Sequence, residues 1–287
     1  MRRLPFLILY LSLVLATGCD HQHTFNRVLV EADSLVEQQA DSACQLLESV
    51  ADIMEQGDEA SRAYYTLLLT QARYKCYQTV PPDIFINAAV LYYEQDGNVS
   101  QLCRAYYYRA MTLYERGNHE EALLLLKKGE ELAVSRHDLL YMAKYHESLC
   151  LVNYDTKYDG MMLHYARLAL KDNRQLGDTS AVIRNLSQIS TALYRLGRQK
   201  ESEDSILKVL PLLHQMNSVS RSYILTNIGC SMHAAGNLAS AKEYLEESLR
   251  INPMPHTYAE LGDIYADEGK MAEAEKNWQE ALKTDDS

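Results

Sequence analysis

This 287-residue chain is first narrowed by what it lacks. It has no His-Glu-x-x-His, because Asn118-His119-Glu120-Glu121 is not followed by a second histidine. Gly-x-Gly-x-x-Gly, the phosphate-cradling Gly-x4-Gly-Lys, Gly-x-Ser-x-Gly and a calcium loop are all missing. Ser205-x-x-Lys208 has the spacing used by penicillin-recognising enzymes, but its companions Ser-Asp-Asn and Lys-Thr-Gly are absent. The six cysteines are scattered singly with no Cys-x-x-Cys, so no zinc ribbon or dithiol redox centre is written here. Positive charge is also short, with 28 Lys and Arg against 39 Asp and Glu. So acidic a chain is a poor counterion for phosphate, and nucleic acid is not expected as a partner. No catalytic residue, cofactor or metal is expected either, and the chain reads as a non-enzyme.

The start of the chain carries a different signal. Arg2 and Arg3 precede an apolar run from Leu4 to Ala16, which is too short to span a bilayer but suits a secretion signal. The run ends Leu15-Ala16-Thr17-Gly18-Cys19, and small residues before a lone cysteine resemble the lipobox of a bacterial lipoprotein. That resemblance implies a signal peptide over 1–18, a lipid on Cys19 and a tether over 19–24. It further implies a lipid-anchored protein of the bacterial cell envelope, on the outer membrane or a periplasm-facing membrane. Cleavage would remove Arg2 and Arg3, leaving 26 basic against 39 acidic residues and a net charge of −13. The lipid, not the surface charge, would then hold the chain to the membrane. The remaining cysteines (Cys44, Cys76, Cys103, Cys150 and Cys230) lie in helical patterns and are expected as small packing residues. His21-x-His23 in the tether reads as solvated linker.

What is present is a beat. Turn signals stand at Gly97-Asn98, Gly117-Asn118, His137-Asp138, Lys157-Tyr158-Asp159, Gly177-Asp178 and Gly197-Arg198, 20 residues apart. Each interval leaves about 15 residues of helix and one tight turn. Upstream, Ala60 to Tyr77 reads as a helix, and another runs on through Tyr93. Pro211 should end or kink a helix near Leu210. No Gly/Ser/Pro-rich linker divides the chain, so residues 25–287 are expected to form one domain of about six to seven helix pairs.

In the last third one skeleton is written twice. Tyr258-x2-Leu261-Gly262-x2-Tyr265, Gly269 and Ala274-x3-Trp278-x2-Ala281 repeat, 33 residues earlier, as Leu225-x2-Ile228-Gly229-x2-Met232, Gly236 and Ala241-x3-Leu245-x2-Ser248. Gly229 with Ala241, and Gly262 with Ala274, place small residues where two successive helices would cross closely. This skeleton resembles the tetratricopeptide repeat. The resemblance implies an all-α, right-handed α-α superhelix, a solenoid of antiparallel helix pairs.

The family lines its concave groove with the second, fifth, ninth and twelfth residues of each first helix. Counting first helices from 103, 143 and 183 puts Arg104, Lys144 and Arg184 at the second position and Tyr114, Tyr154 and Tyr194 at the twelfth. The resemblance therefore implies a cationic ladder beside an aromatic one, suited to an acidic peptide or protein segment. The expected function is a lipid-anchored interaction scaffold that binds a peptide or protein partner. The alternatives are an assembly factor for outer-membrane or surface machinery, or the repeat-type sensor region of a signalling system.

Overall fold

The computed structural model describes residues 25–285, and the expected signal peptide, Cys19 and the tether lie outside them. All regular structure among the described residues is helical. Helix α1 covers residues 25–35. It is followed by α2 (Ala40–Glu48), α3 (Glu59–Lys75), α4 (Asp83–Asp96) and α5 (Val99–Glu115). Then come α6 (His119–Ser135), α7 (Leu139–Asp155), α8 (Asp159–Leu176), α9 (Thr179–Arg195) and α10 (Gln199–Val209). The last four are α11 (Ser218–Ala234), α12 (Leu238–Ile251), α13 (Pro255–Asp267) and α14 (Met271–Asp285). Short 3₁₀ segments cover Ala51–Gln56 and Leu210–Gln215. The second begins where Pro211 withdraws a backbone donor, so α10 stops at Val209. No helix among the described residues is long and apolar enough to cross a membrane.

The 20-residue beat has a local cause. Its six turns each contain one residue with positive φ: Gly97, Gly117, His137, Lys157, Gly177 and Gly197. The left-handed conformation turns the chain out of one helix, and at five of the six turns the next residue donates its backbone N–H back to the helix just ended. Asn118, Asp138 and Asp178 do so to the carbonyls of Leu113, Ala133 and Asn173, at 3.0, 3.0 and 3.1 Å. The same three side chains accept from the N–H groups of Glu121, Tyr141 and Ala181 in the following helix. One Asn or Asp thus closes one helix and caps the next. Capping also corrects the expected register. Asn98 accepts from Gln101 N–H and Asp178 from Ala181 N–H, so α5 and α9 start at 99 and 179, four residues before 103 and 183. The 40-residue repeat survives, since α5, α7 and α9 begin at 99, 139 and 179.

The described residues fall into two compact units that divide between Tyr141 and Met142, in the first turn of α7. In the first unit Phe25, Leu29, Val36, Leu47 and Leu68 close the core of α1 to α3. Cys44 lies in that core, and Arg109 bridges Asp83 and Glu121 at 3.4 and 2.6 Å.

In the second unit the two written repeats form the pairs α11–α12 and α13–α14. A Cβ added to Gly229 would lie 2.6 Å from Leu245 Cγ and 3.3 Å from the Ala241 carbonyl oxygen. One added to Gly262 would lie 2.5 Å from Trp278 Cδ1 and 3.2 Å from the Ala274 carbonyl oxygen. Each glycine therefore faces the backbone of the partner helix with no room for a methyl group. Ala241 and Ala274 are themselves fully buried. Ser222, Thr226, Ser248 and Thr257 join α11, α12 and α13 through buried hydroxyl contacts of 2.8 Å. Each hydroxyl satisfies another, so this polar cluster is tolerated in the core.

Candidate functional site

The second unit holds an open pocket of about 470 Å³. Its wall is built almost entirely from α7, α9, α11 and α13, the first helices of successive pairs. The spacing explains why. Arg184, Gln188, Thr191 and Arg195 recur every three or four residues along α9, and Tyr223, Asn227, Cys230 and Ala234 do so along α11. Each set is one helical face, and these faces open onto common space.

The pocket has chemically distinct ends. At one, Arg184 pairs with Glu147 at 3.6 Å, and the Arg195 guanidinium lies 4.0 Å above the centre of the Tyr154 ring. Arg195 also donates to the Tyr154 carbonyl at 3.1 Å and pairs with Asp159 at 3.3 Å, so two neighbours hold its position. Burial raises the Glu147 carboxyl above its usual range, opposed by Arg184 and by the Asn185 and Asn173 amides. Asn173 donates to Glu147 at 3.0 Å and to Asn185 at 2.9 Å, which fixes the carboxylate behind the pocket wall. At the other end are Cys230, His256 and Glu260. Glu260 contacts His233 Nδ1 at 2.8 Å, and His233 Nε2 contacts Asp267 at 2.9 Å. Burial and the adjoining Glu260 push the Cys230 thiol up to about 12, so it is protonated at neutral pH. Between the ends lie Gln188 and Asn227, whose amides offer both donors and acceptors, and the half-exposed ring of Tyr223.

The six residues of the expected ladders part company. Tyr154, Arg184 and Tyr194 line this pocket, and the Tyr194 hydroxyl donates to the Ala234 carbonyl of α11. Lys144 is half-buried on α7 and is not among the lining residues. Arg104 and Tyr114 belong to the first unit, where neither lines the open concavity of that unit. Arg104 is not an exposed cation. Its Nη2 pairs with Asp33 at 2.7 Å and donates to Gln71 at 2.7 Å, and only 12% of the side chain is exposed. The Tyr114 ring stands edge-on to His119 at 5.2 Å. Sequence reasoning passed over Asn227, Gln188 and the Cys230–His256–Glu260 group. The only local trace of that group was His256-x3-Glu260 on one helix face.

The five described cysteines are not joined in disulfides. Cys44, Cys103 and Cys150 are buried, and Cys76 and Cys230 are half-buried.

A tetratricopeptide-repeat model matches residues 222–253 and 255–287. Among curated proteins the chain is similar to response regulator aspartate phosphatase E of Bacillus subtilis, at 26% identity over 248 residues. The match covers 79% of this chain and 65% of the relative, so the chain spans less than two thirds of that protein's length. Two solved structures resemble it closely in fold. One is a Rap protein complexed with competence and sporulation factor (TM-score 0.70, 18% identity, 92% of this chain and 76% of that one). Another is the quorum sensor NprR of B. thuringiensis in its apo form (TM-score 0.67, 16% identity, 93% and 77%). NprR in complex with its cognate peptide matches at the same TM-score. The chain thus carries tetratricopeptide repeats over 222–253 and 255–287, within an all-α helical-repeat fold shared with Rap and NprR proteins.

Proposed function

We propose that this protein is a peptide-binding helical repeat of the sensor type, and that the pocket of α7, α9, α11 and α13 receives a short peptide. The observation that carries this reading is convergence: four first helices each turn a polar and aromatic face onto about 470 Å³ of open space. That volume lies within the roughly 300–1,000 Å³ of ordinary ligand sites. Gln188 and Asn227 can pair with peptide N–H and C=O groups, while Tyr154 and Tyr223 offer flat apolar surface. Arg184 and Glu260 give opposite charge at the two ends, which suits a peptide carrying an acidic group at one end only. Solved relatives of this fold hold a competence and sporulation factor or a cognate peptide, which supports the reading by analogy.

The role is binding rather than catalysis. One relative is named an aspartate phosphatase, yet here burial pushes both thiols that line the pocket, Cys150 and Cys230, up to about 12, which makes each a poor nucleophile. The alternative expectation, an assembly factor, would appear as capture of a folded protein in place of a peptide. We further propose that Cys19 carries a lipid and places the repeats at the envelope surface, on the strength of the Ala16-Thr17-Gly18-Cys19 pattern.

The test is selection of short peptides from a random library on the immobilised chain, followed by Asn227→Ala and Arg184→Glu. The enriched peptides should lose at least tenfold in affinity for each variant, with helicity unchanged. Enrichment of no peptide, or wild-type affinity for both folded variants, overturns the proposal.

A further inference from the structure

The Cys230, His256 and Glu260 side chains are brought together by two helices of one compact unit. Cys230 projects from α11. His256 and Glu260 are four residues apart in the first half of α13, which places them on one face. Their ligand atoms all lie within 4.8 Å of one another, and Cys230 Sγ is 3.8 Å from His256 Nε2. A zinc ion at about 2.3 Å from sulfur and about 2.0 Å from nitrogen, with a near-tetrahedral angle, separates those two atoms by about 3.5 Å. The observed spacing needs an adjustment of only a few tenths of an ångström. We propose that these three residues form a binding site for a single zinc-class divalent ion on the pocket wall.

Three features beyond proximity support the assignment. The donor set is one sulfur, one imidazole nitrogen and one carboxylate oxygen, which favours zinc or cobalt over magnesium or calcium. The carboxylate is held from behind: His233 contacts Glu260 through Nδ1 at 2.8 Å, while Asp267 holds His233 through Nε2 at 2.9 Å. Outer partners of this kind fix a ligand's orientation in metal sites. All three ligands also line the pocket, so a fourth coordination position faces it, as in zinc sites that exchange a ligand. His256 is exposed, so an ion can reach the site from solvent. A desolvated thiol facing a carboxylate is an arrangement that a divalent cation neutralises.

The site uses only side chains of this chain and does not depend on the peptide reading. Peptide selection and metal titration can therefore fail separately.

The test uses the full chain, reduced and stripped with a chelator, titrated with Co²⁺ and then displaced with Zn²⁺. One equivalent of Co²⁺ should produce a sulfur-to-cobalt charge-transfer band and intense visible bands of a low-symmetry four-coordinate site, all abolished by Zn²⁺. Cys230→Ser should remove the charge-transfer band. His256→Ala and Glu260→Gln should each weaken Zn²⁺ at least tenfold, and His233→Ala should weaken it by about tenfold through loss of positioning. His256 is exposed, so His256→Ala also serves if Cys230→Ser fails to fold. A joint His21→Ala and His23→Ala variant should bind Co²⁺ like the wild type. The proposal is overturned if no charge-transfer band forms, if the band survives Cys230→Ser, or if metal binding is lost only with His21 and His23.

Discussion

Adding one methyl group at Gly229 tests the close approach of α11 and α12. The new carbon would lie 2.6 Å from Leu245 Cγ, 2.7 Å from Leu245 Cδ2 and 3.3 Å from the Ala241 carbonyl oxygen. Carbon pairs prefer about 3.5–4.0 Å, so the shortfall is about 1 Å against a branch-point atom. Leu245 is fully buried and cannot swing clear, and the Ala241 carbonyl keeps α11 from moving further in. Overpacking of this kind costs about 1–3 kcal/mol. The same change gains up to about 1 kcal/mol of helix propensity. Gly229→Ala should therefore destabilise by about 1 kcal/mol net. Gly160, in the first turn of α8, has open space around a built Cβ and supplies the control. Gly160→Ala should be neutral or stabilising by up to about 1 kcal/mol. The assay is the urea midpoint by far-ultraviolet circular dichroism at unchanged slope. Repeating Gly229→Ala in a Leu245→Ala background should remove the penalty, since the vacated volume accepts the methyl group. The resulting coupling falls in the range of about 0.5–3 kcal/mol expected of touching residues. If Gly229→Ala raises the midpoint as much as Gly160→Ala does, the two helices do not pack as described.

Other outcomes follow from single features. Lys157 holds φ of 61°, so Lys157→Gly should raise stability by about 0.5–1 kcal/mol, and a β-branched Lys157→Val should lower it, both read as melting temperature. Glu147 binds its proton more tightly folded than unfolded because it is buried, so its ionisation costs stability as pH rises through the folded value. Wild type should gain on Glu147→Gln as pH falls from 7 towards 4.5, and a difference in urea midpoint that ignores pH would remove this account. Arg104→Glu should destabilise by several kcal/mol, because it leaves Asp33 and the new carboxylate facing each other where little of the side chain reaches water. An Arg104→Glu chain that melts like wild type would show that the ion pair does not hold. Cys19→Ala should move the chain out of the membrane fraction, and unchanged partitioning with no lipid on the N-terminal peptide would end the lipoprotein proposal.

How much could be read in advance follows from the range of the interactions. Helix lengths and breaks were written locally: at four of the six breaks a left-handed residue is followed by an Asn or Asp whose side chain caps the next helix. Even His137 and Lys157, which are not glycine, stood at breaks read from turn residues on the 20-residue beat. The pairs Gly229 with Ala241 and Gly262 with Ala274 were visible because an A–B crossing needs small residues at fixed offsets. The exact first turn was not, and the expected start at 103 fell four residues late because the cap at Asn98 was taken only as a turn signal. Which exposed-looking cations stay exposed was decided by tertiary structure. Arg104 finds Asp33 and Gln71, 71 and 33 positions away, whereas Arg184 stays on a pocket wall. Cys230 meets His256 and Glu260, 26 and 30 positions away, only because α13 packs beside α11. Periodicity determines that helices form and where they stop, since those bonds join near neighbours in sequence. What the helices gather between them depends on contacts between residues far apart along the chain, and no local pattern encodes those.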